Sequence, residues 1–283
     1  MNYFDLHSDT PTECYRKNIS FKDSALAVSA DKGKNFDKWY QTFAIWINET
    51  EEKPYELYIN ALADFKEKLK DAPDNLTPIF AVEGGTVIEN DIERLYRLKD
   101  DGISFLSLTW NGENAIAGGV KTRKGLTDFG RDVIKEMNSL KIGCDLSHIN
   151  EKSFYSAIEV ADYPLATHSN SKIILNHPRN LTDEQIKLIA GKGGIIGLCY
   201  YSLFLGGKPF EALYKNICHL LYMGLEDHIA LGSDFDGAEM DKTLSSPDDI
   251  PAFYEFLSQK GLNGKLLDKI FFQNANNFIA KLR

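Results

Sequence analysis

Side chains with polar or ionisable groups come directly after several short apolar runs of this chain. They are His7 and Asp9, Glu83, Trp110 with Asn111, His148, His168, and Asp234. If each apolar run is a strand of one parallel barrel, these residues all lie at the carboxyl ends of strands, where such barrels place their active sites. The pattern therefore predicts one site that is assembled from many separate segments.

The segments that carry His7 and Glu83 contain the ligand types of a metal site. His7 and Asp9 are two residues apart, so an extended chain turns both side chains to the same face, where both can reach one ion. Glu83 follows the apolar run Ile79–Val82, and a carboxylate in this place can bridge two cations. Taken alone, the first pair is more often a surface turn and Glu83 more often a partner of Lys or Arg. Their shared place at strand ends favours metal binding.

His148 and His168 end two consecutive predicted strands, as the residues of neighbouring barrel strands would. Their imidazole rings would then lie side by side. Neutral histidine is a preferred zinc ligand, so the two rings and a shared carboxylate form a second metal site beside the first. The alternative is that either ring is a hydrogen-bonded core residue, which is the better interpretation of a single isolated histidine.

Asp234 follows the last predicted strand and faces the same end of the barrel. A carboxylate there can orient or deprotonate a metal-bound water, which makes Asp234 the predicted catalytic residue. Asp236 is followed by a glycine, and this pair is typical of a turn. The histidines that do not end a strand are predicted to be structural or peripheral; these are His177, His219 and His228.

Eight short runs rich in β-forming residues must supply these strand ends. They lie near Tyr3–Leu6, Thr42–Ile47, Pro78–Val82, Ser104–Leu108, Ile142–Leu146, Leu165–Thr167, Gly194–Cys199 and His228–Leu231. Longer stretches with helical spacing separate them, which is the alternation expected of βα units around a parallel sheet. The chain has the length of a one-domain barrel and no Pro/Ser-rich linker. The predicted fold class is therefore α/β, a (β/α)8 TIM barrel, with residues 1–283 as a single domain.

Apolar residues at intervals of three and four predict helices over Pro54–Asp71 and Thr127–Leu140. Acidic residues after position 182 indicate the start of another helix, for which Asn180 or Thr182 is the N-cap. The last segment, Gly264–Leu282, is predicted to be helical and to close the barrel.

The overall charge excludes one class of partner. The net charge is -9 and the pI is about 5.2, whereas nucleic-acid binding needs clustered Lys and Arg. The four cysteines lack CxxC spacing, which predicts reduced, buried thiols rather than a disulfide framework or a zinc ribbon. No segment reaches the roughly 18 apolar residues of a membrane span, and the first residues do not resemble a signal peptide. We therefore expect a cytoplasmic protein without membrane contact.

The order of the motifs resembles the membrane (renal) dipeptidase family, peptidase family M19, over nearly the whole chain. The matching segments are His7–Asp9, Glu83–Gly85, Leu106–Thr109, Gly125–Gly130, Asp145–His148, Thr167–Asn170, His177–Asp183 and Gly232–Gly237. Members of this family are metallopeptidases that split dipeptides with two zinc ions in an amidohydrolase-like (β/α)8 barrel. The resemblance implies a zinc dipeptidase whose partner is a small dipeptide substrate.

The resemblance also implies a role for each matched residue. His7 and Asp9 would bind one zinc ion, His148 and His168 the other, and Glu83 would bridge them. Arg179 would hold the free carboxylate of the substrate, because a guanidinium matches a carboxylate in bidentate geometry. The alternative for Arg179 is a cap partner of Asp183 at a helix start.

One position departs from the family pattern. Family members commonly have a histidine directly after the Leu-Thr of the fourth strand, where it helps to bind and polarise the substrate, and this chain has Trp110 followed by Asn111. Both residues are predicted to contact the substrate. An indole cannot accept a proton or carry charge, so we expect a slow peptidase.

The predicted reaction is hydrolysis of a dipeptide by a bridging water that the two zinc ions activate, with Asp234 handling the proton. One alternative is another amidohydrolase activity on the same site, such as hydrolysis of N-acyl amino acids or β-lactams, because the fold does not fix the substrate. A second is a metal-binding homologue that has lost turnover with the change at Trp110. The sequence does not decide the oligomeric state, for which a homodimer is one candidate.

Overall fold

Eight parallel strands form one sheet in the computed structural model, which describes residues 1–283. The strands are β1 (Asn2–Asp5), β2 (Lys38–Trp46), β3 (Leu76–Glu83), β4 (Ile103–Ser107), β5 (Gly143–Asp145), β6 (Pro164–Leu165), β7 (Ile196–Leu198) and β8 (Ile229–Leu231). The sheet order is β6-β5-β4-β3-β2-β1-β8-β7. A parallel bridge between Ala166 and Ile196 joins the two ends of this order, so the sheet closes into the predicted barrel.

All eight predicted strands are confirmed, with bounds that differ by a few residues. The largest difference is in β2, which begins at Lys38 rather than Thr42, because Lys38–Gln41 pairs with β1 along its whole length. Lys38 is exposed, so this part of the strand lacks the continuous apolar run by which the rest was recognised.

Helices connect the strands on the outside of the barrel. They are α1 (Thr10–Lys17), α2 (Pro54–Lys68), α3 (Arg94–Asp100), α4 (Asp128–Ser139), α5 (Glu151–Val160), α6 (Asp183–Gly191), α7 (Ser202–Leu205), α8 (Pro209–Tyr222), α9 (Ile250–Gln259), α10 (Gly264–Asp268) and α11 (Asn274–Ala280). A 3₁₀ turn at Leu69–Asp71 completes the predicted helix after α2, and a π-helical turn at Lys269–Gln273 joins α10 to α11. None of these helices is long and apolar enough to cross a membrane.

Side-chain caps begin the helices that follow the chemically important strand ends. Asn150 accepts a hydrogen bond from the backbone N–H of Ser153 at the start of α5. Thr182, one of the two predicted N-caps, forms a complete capping box with Gln185 at the start of α6. Such caps satisfy backbone donors that the first helical turn leaves free. The loops that carry His148 and His168 therefore end at well-defined helix starts, α5 and α6.

The barrel interior is filled by strand residues such as Phe4, Ala81 and Phe105. The same apolar cluster includes Phe272 and Phe278 of the C-terminal helical segment, which closes the amino-terminal end of the barrel as predicted. The part of the barrel interior around these residues is therefore apolar. Polar groups are concentrated at the opposite, carboxyl-terminal end.

Candidate metal centre

The end of β1 brings His7 and Asp9 to the mouth of the barrel. The chain after β1 stays bound to the chain after β8, because the N–H of Asp9 donates to the carbonyl of Phe235 and the N–H of Asp234 donates to that of His7. This pairing holds both loops side by side. His7 and Asp9 are buried, and His7 Nε2 lies 3.8 Å from Asp9 Oδ2.

Glu83 is the last residue of β3 and its buried carboxylate lies between the other ligand candidates. Its Oε2 atom is 3.5 Å from Nε2 of His7. Its Oε1 atom is 2.7 Å from Nε2 of His148 and 3.5 Å from Nε2 of His168. The two oxygens of one carboxylate thus face two different sets of ligands, which is the arrangement of a bridging ligand.

The two histidines after β5 and β6 lie side by side. His148 and His168 are both buried, and their Nε2 atoms are 2.8 Å apart. His148 has a positive φ of 66°, a backbone conformation that few residues other than glycine adopt and that is common at functional sites. Burial, together with the positive charge of Arg179, lowers the pKa of His148 to about 4. Burial and the neighbouring His7 also place the pKa of His168 well below its usual range, so both rings are neutral, as metal ligands must be.

The carboxylates of the centre crowd negative charge into a buried space. Burial and the charge of Glu83 raise the pKa of Asp9 to about 7. Burial would likewise raise the pKa of Glu83, but His148 and His7 hold it well below its usual range. For His7, burial lowers the pKa, yet the charge of Glu83 outweighs that effect and raises it well above the ordinary value. Asp9 is therefore the carboxylate of this group that the protein leaves without enough positive charge around it.

The donor set fits divalent metal ions. Ligand atoms of His7, Asp9 and Glu83 lie within 4.8 Å of one another, and so do those of Glu83, His148 and His168. Two atoms of the first group, His7 Nε2 and Asp9 Oδ1, are buried and have no hydrogen-bond partner. Buried polar atoms are rarely left unpaired in folded proteins, and a metal ion is one of the recognised explanations. Imidazole and carboxylate are ligands that suit zinc and similar ions.

Asp234 lies beside both ligand groups. It forms a third group of close ligand atoms with His7 and His168, and its φ of 68° is again positive. Burial raises its pKa well above the ordinary value. Gly237 packs against it so closely that an added Cβ would lie 2.7 Å from Asp234 Oδ1 and 1.9 Å from Asp9 Oδ2. Glycine is thus the residue that leaves room for both carboxylates.

Asp236 has the structural surroundings that its sequence position predicted. Its Oδ1 atom accepts a hydrogen bond from the N–H of Ala27 at 2.6 Å, and its Oδ2 atom accepts from the hydroxyl of Thr10 at 2.6 Å. These contacts tie the loop after β8 to the segment after α1. Both oxygens of the Asp236 carboxylate thus accept hydrogen bonds from the protein, and Asp236 belongs to none of the ligand groups.

Arg179 is buried behind the wall of the main cavity. Its Nη2 atom donates to the carbonyl of His168 at 3.1 Å, and its Nε–H has no partner. The ring of Phe204 lies 5.2 Å from the guanidinium and lines the cavity, while Arg179 itself lines a smaller neighbouring pocket. The alternative role as a cap partner of Asp183 is not seen, because Asp183 pairs with His219 at 2.7 Å.

A cavity of about 400 Å³ opens over the ligand groups. Trp110 and Asn111 both line it, and Trp110 packs edge-on against Trp46 with ring centroids 5.0 Å apart. Asn111 is also directed at a ligand candidate, because its Oδ1 atom lies 3.0 Å from Nδ1 of His148. Trp110 is thus part of the cavity wall. Asn111 lines the cavity too and also contacts the proposed metal ligand His148.

The remaining histidines lie outside the ligand groups. His219 pairs with Asp183, Nδ1 of His228 lies 2.7 Å from the carbonyl of Gly194, and Nδ1 of His177 accepts from the N–H of Arg179 at 3.2 Å. Each has a local partner that explains its position.

Two buried carboxylates beneath the centre were not singled out from the sequence. Asp5 accepts hydrogen bonds from the N–H of His7 at 3.1 Å and from the hydroxyl of Ser233 at 2.6 Å. Asp145 accepts from the hydroxyl of Thr167 at 2.9 Å. The available signal was a charged residue inside a predicted apolar strand, a few positions before a ligand candidate.

The model of the family described as membrane dipeptidase (peptidase family M19) matches residues 50–281. An uncharacterized protein in the pqqA 5' region of Klebsiella pneumoniae is 33% identical over 215 residues, which are 70% of this chain and 79% of that protein. A Schizosaccharomyces pombe protein named an uncharacterized dipeptidase is 29% identical over 67% of this chain, which spans only 49% of that relative.

Two solved structures share the fold over almost their whole length. A dipeptidase of family M19 is 24% identical with a TM-score of 0.91, covering 99% of this chain and 98% of its own. A Rhodobacter sphaeroides metallopeptidase, bound to a phosphinate mimic of the dipeptide L-Ala-D-Ala, is 23% identical with a TM-score of 0.90, covering 100% of this chain and 99% of its own. At 23–24% sequence identity, these two similarities establish the shared barrel fold.

Proposed function

The chain belongs to the membrane dipeptidase family, peptidase family M19, and on that premise we propose that it is a dipeptidase with two zinc ions. The family makes it a metallo-dipeptidase that uses divalent metal and acts on small peptides. The observation that carries the finer proposal is the position of Glu83, whose two oxygens face separate ligand groups. The proposed ligands are His7 and Asp9 for one ion, His148 and His168 for the other, and Glu83 for both.

Bound zinc supplies a water of lowered pKa and a Lewis acid that polarises the peptide carbonyl. The chain's own residues supply the proton transfers. The Asp234 carboxylate, close to His7 and His168, is placed to accept the proton of the attacking water and to deliver it to the leaving amine.

The cavity of about 400 Å³ is large enough for a small peptide such as a dipeptide, which supports the proposed substrate. The guanidinium of Arg179, with its unpartnered Nε–H, is the proposed contact of the substrate carboxylate. The Phe204 side chain must move for this contact to form, because its ring lines the cavity and the guanidinium does not. Trp110 and Asn111, which line the same cavity, are further proposed contacts of the substrate.

Metal analysis and a substrate panel test the proposal together. Purified protein should contain about two zinc ions per chain, lose its dipeptidase activity on chelation, and regain it when zinc is added. A metal-free preparation that hydrolyses dipeptides at full rate would contradict the mechanism. Activity confined to N-acyl amino acids or β-lactams, with none on L-L or L-D dipeptides, would contradict the substrate.

We also propose that residues 1–283 form one domain, with a homodimer as one candidate for its assembly. A single cooperative unfolding transition is expected for one domain. Light scattering of the purified protein distinguishes a dimer from a monomer.

A further inference from the structure

Each of the three histidines in the centre has its Nδ1 atom next to an oxygen that is not itself a ligand candidate. Nδ1 of His148 lies 3.0 Å from Oδ1 of Asn111. Nδ1 of His168 lies 2.8 Å from Oγ1 of Thr167, and Nδ1 of His7 lies 3.4 Å from the same atom. One threonine hydroxyl therefore contacts histidines from both proposed zinc sites.

The direction of these hydrogen bonds follows from the chemistry of the partners. An amide oxygen can only accept, so Nδ1 of His148 carries the proton that it shares with Asn111. The hydroxyl of Thr167 has one proton and donates it to Oδ2 of the buried Asp145 at 2.9 Å. Its lone pairs remain to accept from Nδ1 of His168 at 2.8 Å and from Nδ1 of His7 at 3.4 Å, on a side of the hydroxyl that also contacts Oγ of Ser147 at 3.3 Å.

A proton on Nδ1 leaves the Nε2 atom of each neutral ring with a free lone pair. All three Nε2 atoms face Glu83, at 2.7 Å for His148 and at 3.5 Å for both His7 and His168. With Nε2 unprotonated, His148 and His168 cannot hydrogen-bond to each other across their 2.8 Å separation. His148 and His168 are thus preset to present lone pairs to cations, whereas His7 must release its second proton when a metal ion binds.

We propose that Thr167, oriented by Asp145, and Asn111 are positioning residues that fix the Nδ1–H tautomer of all three histidine ligands. The inference rests on the proposed metal site. It adds that one residue, Thr167, contacts histidine ligands of both proposed zinc ions. Because Thr167 serves His7 and His168, it supports both zinc ions, whereas Asn111 supports only the ion held by His148. Partners of this kind orient ligands in many metal sites.

Zinc affinity, measured by competition with a chromophoric chelator, tests the two roles separately. Thr167→Val should weaken both ions about 10- to 100-fold, the usual effect of losing such a partner, and Thr167→Ser should restore binding. Asn111→Leu should weaken one ion, and Asn111→Asp, which keeps an acceptor, should not. Thr42→Val is the matched control, since Thr42 is a buried strand residue whose hydroxyl has no partner. Wild-type affinity for both ions in Thr167→Val and Asn111→Leu would overturn the proposal.

The tautomers can also be read without metal, from the ¹⁵N NMR shifts and couplings of the imidazole rings in the metal-free protein. The expected result is Nδ1–H with an unprotonated Nε2 on His148 and His168 in the wild type, and loss of this preference at His168 in Thr167→Val. His7 is left out of this measurement, because its raised pKa keeps protons on both of its nitrogens until a metal ion binds. Nε2–H tautomers in the wild type would overturn the inference. A wild type that binds no zinc would refute the proposed function instead, and the ring tautomers would still decide this inference. If Thr167→Val does not fold, the half-buried Asn111 and its variants decide it at His148.

Discussion

Replacing Arg179 by alanine should weaken the binding of dipeptides through their free carboxylate. The Nη2 atom already donates to the carbonyl of His168, which leaves the Nε–H and the positive charge for a ligand. Hydrogen bonds to charged groups are worth about 1.5–3 kcal/mol, and 1.4 kcal/mol corresponds to a factor of ten. We therefore expect KM to rise roughly 10- to 150-fold, with a much smaller change in kcat.

The assay compares each dipeptide with its C-terminal amide, which lacks the charged group. If Arg179 binds the carboxylate, Arg179→Ala should reduce kcat/KM for the dipeptide far more than for the amide. Arg179→Lys is the matched control, because it keeps the charge and loses the planar geometry that favours carboxylates. Its loss on dipeptides should be intermediate.

The refuting result is an equal loss on both substrates. Because Arg179 also donates to the backbone of His168, a structural role would act through the metal centre and would affect the amide as strongly as the dipeptide. Zinc content should therefore be measured for each variant. Equal losses together with reduced zinc content would make Arg179 a support of the metal ligand rather than a substrate contact.

Three further predictions concern other parts of the chain. Trp110→His should leave zinc content unchanged and raise kcat/KM on simple dipeptides by up to about 10²–10³, the usual worth of one oxyanion donor; loss of metal would show that Trp110 belongs to the ligand framework. Gly237→Ala should lower kcat by about 10² by displacing Asp9 and Asp234, while Gly191→Ala, whose added Cβ meets nothing within 4 Å, should have no effect on the kinetics. In thiol labelling at pH 8, only the partly exposed Cys218 should react in the folded protein, since the other cysteines are buried and burial raises the pKa of Cys14 to about 12; four fast thiols before unfolding would contradict the structure.

The strands could be predicted from the sequence because each one carries its own signal. A buried parallel strand is a continuous apolar run, and the polar residue that ends it, such as Glu83 after Val82, marks the mouth of the barrel. Both features are local in sequence. The ligand candidates could therefore be named before the fold was known, and the structure brings them together.

The supports of the site could not be predicted in the same way. The hydroxyl of Thr167 contacts His7, which is 160 residues away along the chain, and Asp145, which is 22 residues away. Asn111 was expected to contact substrate because it follows a strand, and nothing in its sequence shows that it reaches His148. Such contacts depend on the register of neighbouring strands. The place of Phe204 in the cavity wall was not predicted either, because Phe204 lies on the four-residue helix α7, which is too short to give a periodic sequence pattern.

The hydrogen bonds of the buried carboxylates explain why cations are needed at one level of the barrel and not below it. Asp5 accepts from Gln41, Ser233 and the backbone of His7, and Asp145 is likewise surrounded by donors of the protein.

One level higher, Oδ1 of Asp9 and Nε2 of His7 have no partner at all. An unpaired buried polar atom costs about 1–3 kcal/mol. The fold therefore satisfies the carboxylates that orient the site and leaves unsatisfied the atoms that a metal ion can pair. The polar layer below is built to hold the ligands still, so that binding energy of the metal is not spent on ordering them.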